Sequence, residues 1–212
     1  MAIIVYGASY STRTQGVLLV LRKLCIEYVL QHVDMQKGEH CSPEFKASHQ
    51  PFGKLPAIDD AGFQLFESRA IARYLVAKRP GPLSLPSDPV SLGNFEQEAS
   101  VEHVYFETAV SNLGFEKIFK KMSTGQDADE ATVVRLEGEL IKVLDYYEGV
   151  LRKQKWLAGS ELSLVDVFVI PWLNFLVSRL DYQALVDARP NILAWWRTAS
   201  QDKDWKKVIG SD

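Results

Sequence analysis

The chain has 212 residues, a formal net charge of −3, 47% hydrophobic residues and 24% charged residues, which is ordinary for a globular protein. This length allows one large domain or two small ones. The weakly acidic balance and the lack of a dense Lys/Arg run argue against a phosphate-backbone partner, so we expect no nucleic-acid binding.

The cysteine content and the start of the chain indicate a reducing compartment. Cys25 and Cys41 are too few for a disulfide scaffold and too far apart for a CxxC motif. The first residues lack the basic and long apolar stretches of a signal peptide, and no window approaches the roughly 20 apolar residues that span a bilayer. We therefore expect a cytoplasmic protein without membrane insertion.

The first third of the chain alternates strand-like and helix-like segments. The residue patterns predict strands at 3–6, 28–33, 55–58 and 63–66, helices after Ser11-Thr12 and from Ser68, and at most a short helix near 44–46. The last two strands flank the turn sequence of residues 59–62 and predict a hairpin. We expect an α/β domain over 1–79.

A proline-rich stretch then separates two parts of different class. Residues 79–89 hold four prolines and cannot continue a helix, so 80–89 is predicted to be a linker. Helical periodicity follows at 92–122, 136–151, 163–180, 190–200 and 202–208. Residues 90–212 are therefore expected to form an all-helical domain.

Three short segments could bind a ligand or stabilise a reacting group, and each also has a purely structural interpretation. Pro56 begins a predicted strand, and its peptide bond with Leu55 is either trans or cis. A cis bond would turn the backbone of Leu55 outward, where it could pair with an extended peptide. Glu67-Ser68 could hold the two charges of an amino-acid end at a helix start, or only cap the helix. Ser11 and Thr12 could donate a hydrogen bond to a bound thiolate and lower its pKa, or likewise only cap a helix.

Other chemistries have no support in the sequence. The four histidines His32, His40, His49 and His103 show no metal-binding spacing, so we expect no metal. There is no Gly-rich phosphate loop, and without a G-x-S-x-G motif we do not expect Ser11 to act as a nucleophile.

The order of these segments resembles the cytosolic glutathione transferases. The matching segments are Ser11-Thr12, Gly38-Glu39-His40, residues 51–56 (PFGKLP), residues 66–71 (FESRAI) and the N-capping box Ser163-Leu164-Val165-Asp166. The first three are most similar to the phi class of plants and fungi. The resemblance implies a thioredoxin-like N-terminal domain, an all-helical C-terminal domain and glutathione as co-substrate.

The resemblance also implies roles for eight glutathione-binding positions: Ser11, Thr12, His40, Lys54, Leu55, Pro56, Glu67 and Ser68. Ser11 would stabilise the glutathione thiolate, and Leu55, before a cis-Pro56, would pair with the cysteinyl unit. Glu67 and Ser68 would hold the γ-glutamyl end. His40 and Lys54 would reach the glycyl end and the peptide backbone. Cys41 stands where a second basic residue is common, which predicts a weaker carboxylate contact.

The expected reaction is conjugation of the glutathione thiolate to an electrophile in an apolar pocket between the domains, with peroxide reduction as a second activity. The pocket candidates are Tyr10, Met35, Tyr105, Phe106, Phe115 and Phe119, and for each of them ordinary core packing is the alternative. Tyr10 or Thr12 could share the role of Ser11. Phe52 is expected at a homodimer contact, by analogy alone.

Two rival functions use the same fold. A thiol transferase needs a reactive cysteine, whereas position 11 is serine, Cys25 falls on the apolar face of a predicted helix and no motif supports Cys41. A non-catalytic carrier of apolar ligands would show the same pocket residues.

Overall fold

The computed structural model describes residues 2–211, and these form two compact units. The N-terminal unit runs to Ser84 and also contains the chain from Asp202 onward, and the helical unit is Leu85–Gln201. The division after Ser84 falls within the expected linker 80–89. The residues from Asp202 onward, which the sequence had assigned to the second domain, belong to the first unit.

A mixed four-stranded sheet lies at the centre of the N-terminal unit, in the order β2-β1-β3-β4. The strands are β1 (Ile3–Gly7), β2 (Tyr28–His32), β3 (Ala57–Asp60) and β4 (Phe63–Phe66). β1 pairs in parallel with β2 and antiparallel with β3, which continues antiparallel to β4. Ile3 and Val5 are buried and Ile4 is partly exposed, which is the alternation of a strand with one face in the core.

The hairpin between β3 and β4 has a shorter turn than expected. Asp59 and Asp60 belong to β3, so only Ala61 and Gly62 connect the strands. Both have positive φ angles, 55° and 93°. Two-residue turns of this kind match the twist of a hairpin better than a four-residue loop.

Three helices pack around the sheet: α1 (Thr12–Lys23), α2 (Pro43–Ser48) and α3 (Ser68–Lys78). A 3₁₀ turn, Glu39–Cys41, precedes α2. α1 is buried from Thr14 to Leu21 and packs against α3, which buries Ile71 and Leu75. The order is β-α-β-α-β-β-α, and α2 is the short helix that the sequence allows near residues 44–46.

The helical unit begins with a long helix that is interrupted twice. Its α-helical parts are α4 (Pro89–Val101), α5 (Thr108–Gly114) and α6 (Lys120–Thr124), and two π-helical segments, Glu102–Glu107 and Phe115–Phe119, join them. A Cβ on Gly114 would lie 2.7 Å from the ring of Phe175, so glycine permits this close approach. The sequence predicted one uninterrupted helix here, because π-helical segments leave the apolar pattern nearly unchanged.

Four further helices complete the helical unit: α7 (Glu130–Leu151), α8 (Leu164–Ser178), α9 (Gln183–Asp187) and α10 (Pro190–Ser200). The short helix α9 was not predicted. The capping box at the start of α8 is confirmed, since Ser163 and Asp166 bond each other's backbone reciprocally. Asp166 is fully buried and also accepts from the Leu157 N–H at 2.9 Å and from Trp195 Nε1 at 3.0 Å.

The closing helix, α11 (Lys203–Ile209), returns to the N-terminal unit and packs against α1. Lys23 Nζ lies 2.5 Å from Asp202 Oδ2 and 3.1 Å from Asp204 Oδ2, and Trp205 is buried beside this pair. Within residues 2–211 no helix combines the length and the apolar character needed to cross a membrane.

Candidate functional site

The register of the sheet brings three predicted site segments to one end. Tyr6 near the end of β1 pairs with Ala57 at the start of β3, and Ala57 pairs with Phe66 at the end of β4. The residues that adjoin these strand ends are the loop to Ser11, the Leu55-Pro56 step and the Glu67-Ser68 step. Segments more than forty residues apart in sequence therefore meet at one edge of the fold.

Ser11 is the N-cap of α1, and its hydroxyl oxygen accepts a hydrogen bond from the Thr14 N–H at 3.4 Å. A hydroxyl has one hydrogen and two lone pairs, so the cap bond uses a lone pair and leaves the hydrogen to be donated. No acidic side chain lies in the first turn of α1, so the partial positive charge of the helix end is not compensated there. The cap function and the proposed thiolate contact are thus compatible.

Gln15 braces the loop that leads to Ser11. Its side chain is buried, and Nε2 donates to the Ser9 carbonyl at 2.9 Å. Thr12 is the first residue of α1 and half-buried, while Tyr10 is 53% exposed. The sequence patterns did not indicate this contact of Gln15.

The Leu55–Pro56 peptide bond is cis, as the resemblance implied. The Leu55 side chain is buried in a small cluster with Ala8, Val33 and Phe45. This cluster packs the loops at the end of β1 and β2 against α2. It therefore positions the backbone of Leu55 next to the loop that carries Ser11.

Glu67, rather than Ser68, is the N-cap of α3. Its φ angle is 70°, a conformation that is uncommon for a residue with a side chain. Glu67 makes no side-chain capping bond and its side chain is exposed, whereas Ser68 is the first helical residue and is buried. The predicted cap is thus shifted by one residue, and both side chains remain at the start of α3.

His40, Lys46 and Lys54 form a basic group whose charges act on one another. Burial lowers the pKa of His40, and the nearby Lys54 and Lys46 ammonium groups lower it further. His40 Nδ1 is buried without a hydrogen-bond partner among the described residues. The sequence motifs include His40 and Lys54 but not Lys46. The position of α2 in the fold is what assigns Lys46 to this group.

The expected electrophile-pocket residues differ in exposure. Tyr10 and Met35 in the N-terminal unit, and Tyr105, Phe115 and Phe119 in the helical unit, are all exposed by 37% or more. Phe106 is an exception, since its ring is fully buried and packs against Tyr147 with centroids 5.5 Å apart. Phe106 is therefore a core residue of the helical unit. It is not a candidate for the electrophile pocket, because its side chain does not reach the surface of its own unit.

The two cysteines are free and exposed. Cys25 lies beyond the end of α1 with a φ angle of 50°, so its expected place on the apolar face of the helix was wrong. Cys41 ends the 3₁₀ turn. Among residues 2–211 no group of three or more His, Cys, Asp or Glu side chains is arranged to hold a metal ion.

Comparisons with known proteins place most of the chain in two family models. Residues 1–77 match the family model described as "Glutathione S-transferase, N-terminal domain", and residues 108–202 match "Glutathione S-transferase, C-terminal domain". The chain is 38% identical over 195 residues to "Glutathione S-transferase PM239X14" of Arabidopsis thaliana, covering 90% of this chain and 88% of that protein.

Solved structures show the same likeness over the whole chain. Poplar glutathione transferase F1 matches with a TM-score of 0.90 at 33% identity, covering 99% of this chain and 97% of that one. Glutathione S-transferase I from "mais", in complex with an atrazine glutathione conjugate, matches with a TM-score of 0.89 at 29% identity, covering 100% and 98%.

The fold and the site thus define a two-unit protein with a thioredoxin-like N-terminal domain and a helical partner. The chain belongs to the glutathione S-transferase family, and its relatives are of the phi (F) type.

Proposed function

We propose that this protein conjugates the thiolate of glutathione to electrophilic, hydrophobic small molecules. The observation that carries the proposal is the position of Ser11. Its hydroxyl caps α1 through a lone pair, keeps its hydrogen for a ligand, and lies at the same end of the sheet as Leu55 and Glu67.

The proposed reaction needs no covalent step on the protein. The Ser11 hydroxyl donates to the bound sulfur and, with the N-terminus of α1, favours the thiolate at neutral pH. The thiolate sulfur then forms a bond to an electrophilic carbon, and the leaving group departs with the electron pair of the broken bond. The protein contributes proximity and a lowered thiol pKa.

The two ends of glutathione are proposed to bind on either side of Leu55. Glu67 would pair with the α-ammonium of the γ-glutamyl unit, and the N–H groups at the start of α3 with Ser68 would hold its carboxylate. His40 and Lys54 would meet the glycyl carboxylate. The first turn of α3 contains no acidic residue, which supports binding of the γ-glutamyl carboxylate at this helix end.

Five exposed side chains remain as candidates for contact with the electrophile: Tyr10, Met35, Tyr105, Phe115 and Phe119. Peroxide reduction by the same thiolate is proposed as a second activity. Two free, exposed cysteines support a reducing, cytoplasmic location.

Phe52 is proposed as a homodimer contact. Its side chain is 70% exposed and lies edge-on to Phe66 with ring centroids 6.3 Å apart. A large aromatic side chain this exposed is typical of an interface anchor. We expect Phe52→Ser to shift the molecular mass measured by light scattering from that of a dimer toward that of a monomer. An unchanged mass would remove Phe52 from the interface.

The central test is binding and turnover by the wild-type protein. Titration calorimetry with glutathione and turnover of a chloronitrobenzene are both expected to be positive. Tight binding of hydrophobic dyes without any turnover across an electrophile panel would favour the carrier function instead. A mixed disulfide between Cys41 and glutathione as a reaction intermediate would favour a thiol transferase. Lack of glutathione binding would contradict both enzymatic functions.

A further inference from the structure

A third cation lies beside the proposed glycyl-carboxylate site. Lys46 is on α2, and its Cε lies 2.9 Å from the point that a Cβ on Gly53 would occupy. The same point is 3.0 Å from the His40 carbonyl oxygen. The end of the Lys46 side chain therefore lies against Gly53 and close to the His40 backbone, and Lys54 follows Gly53 in the sequence.

The positive charge of this group is not compensated by the protein. The Lys54 and Lys46 ammonium groups both lower the pKa of His40, after the larger effect of burial. Neither Lys46 nor Lys54 takes part in a salt bridge within residues 2–211, and both side chains are exposed. Like charges that share a site repel one another, and an anion bound between them relieves that repulsion.

Cys41 lies beside the same glycine. Its Sγ lies 3.4 Å from the Gly53 Cβ point. A basic side chain at position 41 and one at position 46 would therefore reach the same place. Here position 41 holds a neutral thiol, and the lysine is at position 46.

We infer that Lys46 is a carboxylate-binding residue, and that it makes the site select a tripeptide with a free glycyl carboxylate over one with a neutral C-terminus. The inference rests on the proposed function, because it places the glycyl end of glutathione between Lys46 and Lys54. It adds a residue that the family motifs do not contain.

The test compares two ligands on three proteins. The ligands are glutathione and glutathione esterified at the glycyl carboxylate, and the proteins are wild type, Lys46→Met and Lys207→Met. Lys207 is an exposed lysine on α11 and serves as the matched loss of one charge. Calorimetry is expected to show that Lys46→Met weakens glutathione binding about two- to fivefold, the range of an exposed ion pair, and leaves ester binding unchanged. Lys207→Met is expected to match wild type with both ligands.

A rescue variant separates charge from structure. Adding Cys41→Lys to Lys46→Met is expected to restore glutathione binding, since both positions flank Gly53. Equal loss for both ligands, no loss for either, or failure of the rescue would overturn the inference. If wild type binds no glutathione, the proposed function fails. If wild type binds it and Lys46→Met changes nothing, only the role of Lys46 fails.

Discussion

The side-chain oxygen of Gln50 accepts a hydrogen bond from the backbone N–H of Lys54 at 3.0 Å. The same oxygen accepts from the Phe52 N–H at 2.7 Å. Gln50 is 1% exposed, so water does not readily replace it. One buried amide thereby sets the path of the chain between α2 and the Leu55–Pro56 step, and it positions Lys54 at the proposed site.

Gln50→Met is expected to weaken glutathione binding and to lower stability. The substitution keeps the length of the side chain but removes the acceptor for two backbone N–H groups. A buried group left without its partner costs about 1–3 kcal/mol, so the free energy of unfolding should fall by about that amount. Urea unfolding and calorimetry with glutathione measure the two effects.

The control for this prediction is Gln126→Met, at an exposed position in the loop before α7. It should change neither quantity. A Gln50→Met protein with wild-type affinity and stability would show that the loop holds its path without the amide.

Ser11→Ala is expected to raise the pKa of the bound glutathione thiol. A hydrogen bond to a charged group contributes about 1.5–3 kcal/mol, which corresponds to a rise of about one to two pKa units. Conjugation at neutral pH should then fall about tenfold or more, and the loss should shrink as the pH rises. The ultraviolet absorbance of the bound thiolate, followed against pH, measures the pKa directly.

Because Ser11 also caps α1, its removal is expected to cost about 1 kcal/mol of stability. Asp88→Ala removes the N-cap of α4, whose carboxylate accepts from the Ser91 N–H at 2.9 Å, and so serves as the matched cap loss. It should leave the thiol pKa unchanged. If both variants shift turnover equally, the effect of Ser11 is structural.

Asp60 is expected to make stability depend on pH in the acidic range. Hydrogen bonds from Lys78 and then from Tyr74 Oη, at 2.6 Å, lower the pKa of Asp60 below its ordinary value of 3.8. The unfolded chain therefore binds the proton more readily than the folded one. The contribution of Asp60 to stability is fully present above pH 3.8 and is lost as the pH falls through the lower pKa of the folded state.

The measurement is the free energy of unfolding of wild type and Asp60→Asn from pH 6 to pH 2. The difference in unfolding free energy between the two proteins should be largest at pH 6 and shrink toward pH 2. Asp127→Asn, at an exposed ion pair with Lys121, should show little difference at any pH. A difference that grows on acidification would contradict the sign of the Asp60 shift.

Asp166→Ala is expected to destabilise the helical unit severely. The carboxylate is fully buried and accepts four hydrogen bonds, from the Ser163 N–H, the Ser163 hydroxyl, the Leu157 N–H and Trp195 Nε1. Loss of the capping box and of the partner of the buried Trp195 donor together should cost about 3 kcal/mol or more. Thermal unfolding, with Trp fluorescence as the probe, measures this change, and a loss under 1 kcal/mol would contradict it.

Local patterns predicted most of the secondary structure because each depends on neighbours in the sequence. The β-branched run at residues 3–6, the N-cap at Ser11 and the capping box at Ser163 are all short-range signals. The turn sequence of residues 59–62 indicates a hairpin but not how many of these residues continue the strands. The π-helical segments were missed because they leave the apolar pattern nearly unchanged. The packing of α11 against α1 joins segments about 180 residues apart, and local patterns do not show such a contact.

For the site, the sequence by itself determined the residue types: a hydroxyl before the first helix, a proline at the start of the third strand, and an acid–serine pair at the start of α3. It also determined the family, since these motifs occur in a specific order. Only the tertiary structure decided which side chains surround that site. Gln15, Gln50 and Lys46 reach it through contacts that the fold creates, and Phe106 is kept from the surface of its unit by burial against Tyr147. The physical reason is that sequence spacing determines what a helix or strand presents, whereas the packing between elements determines what each side chain contacts.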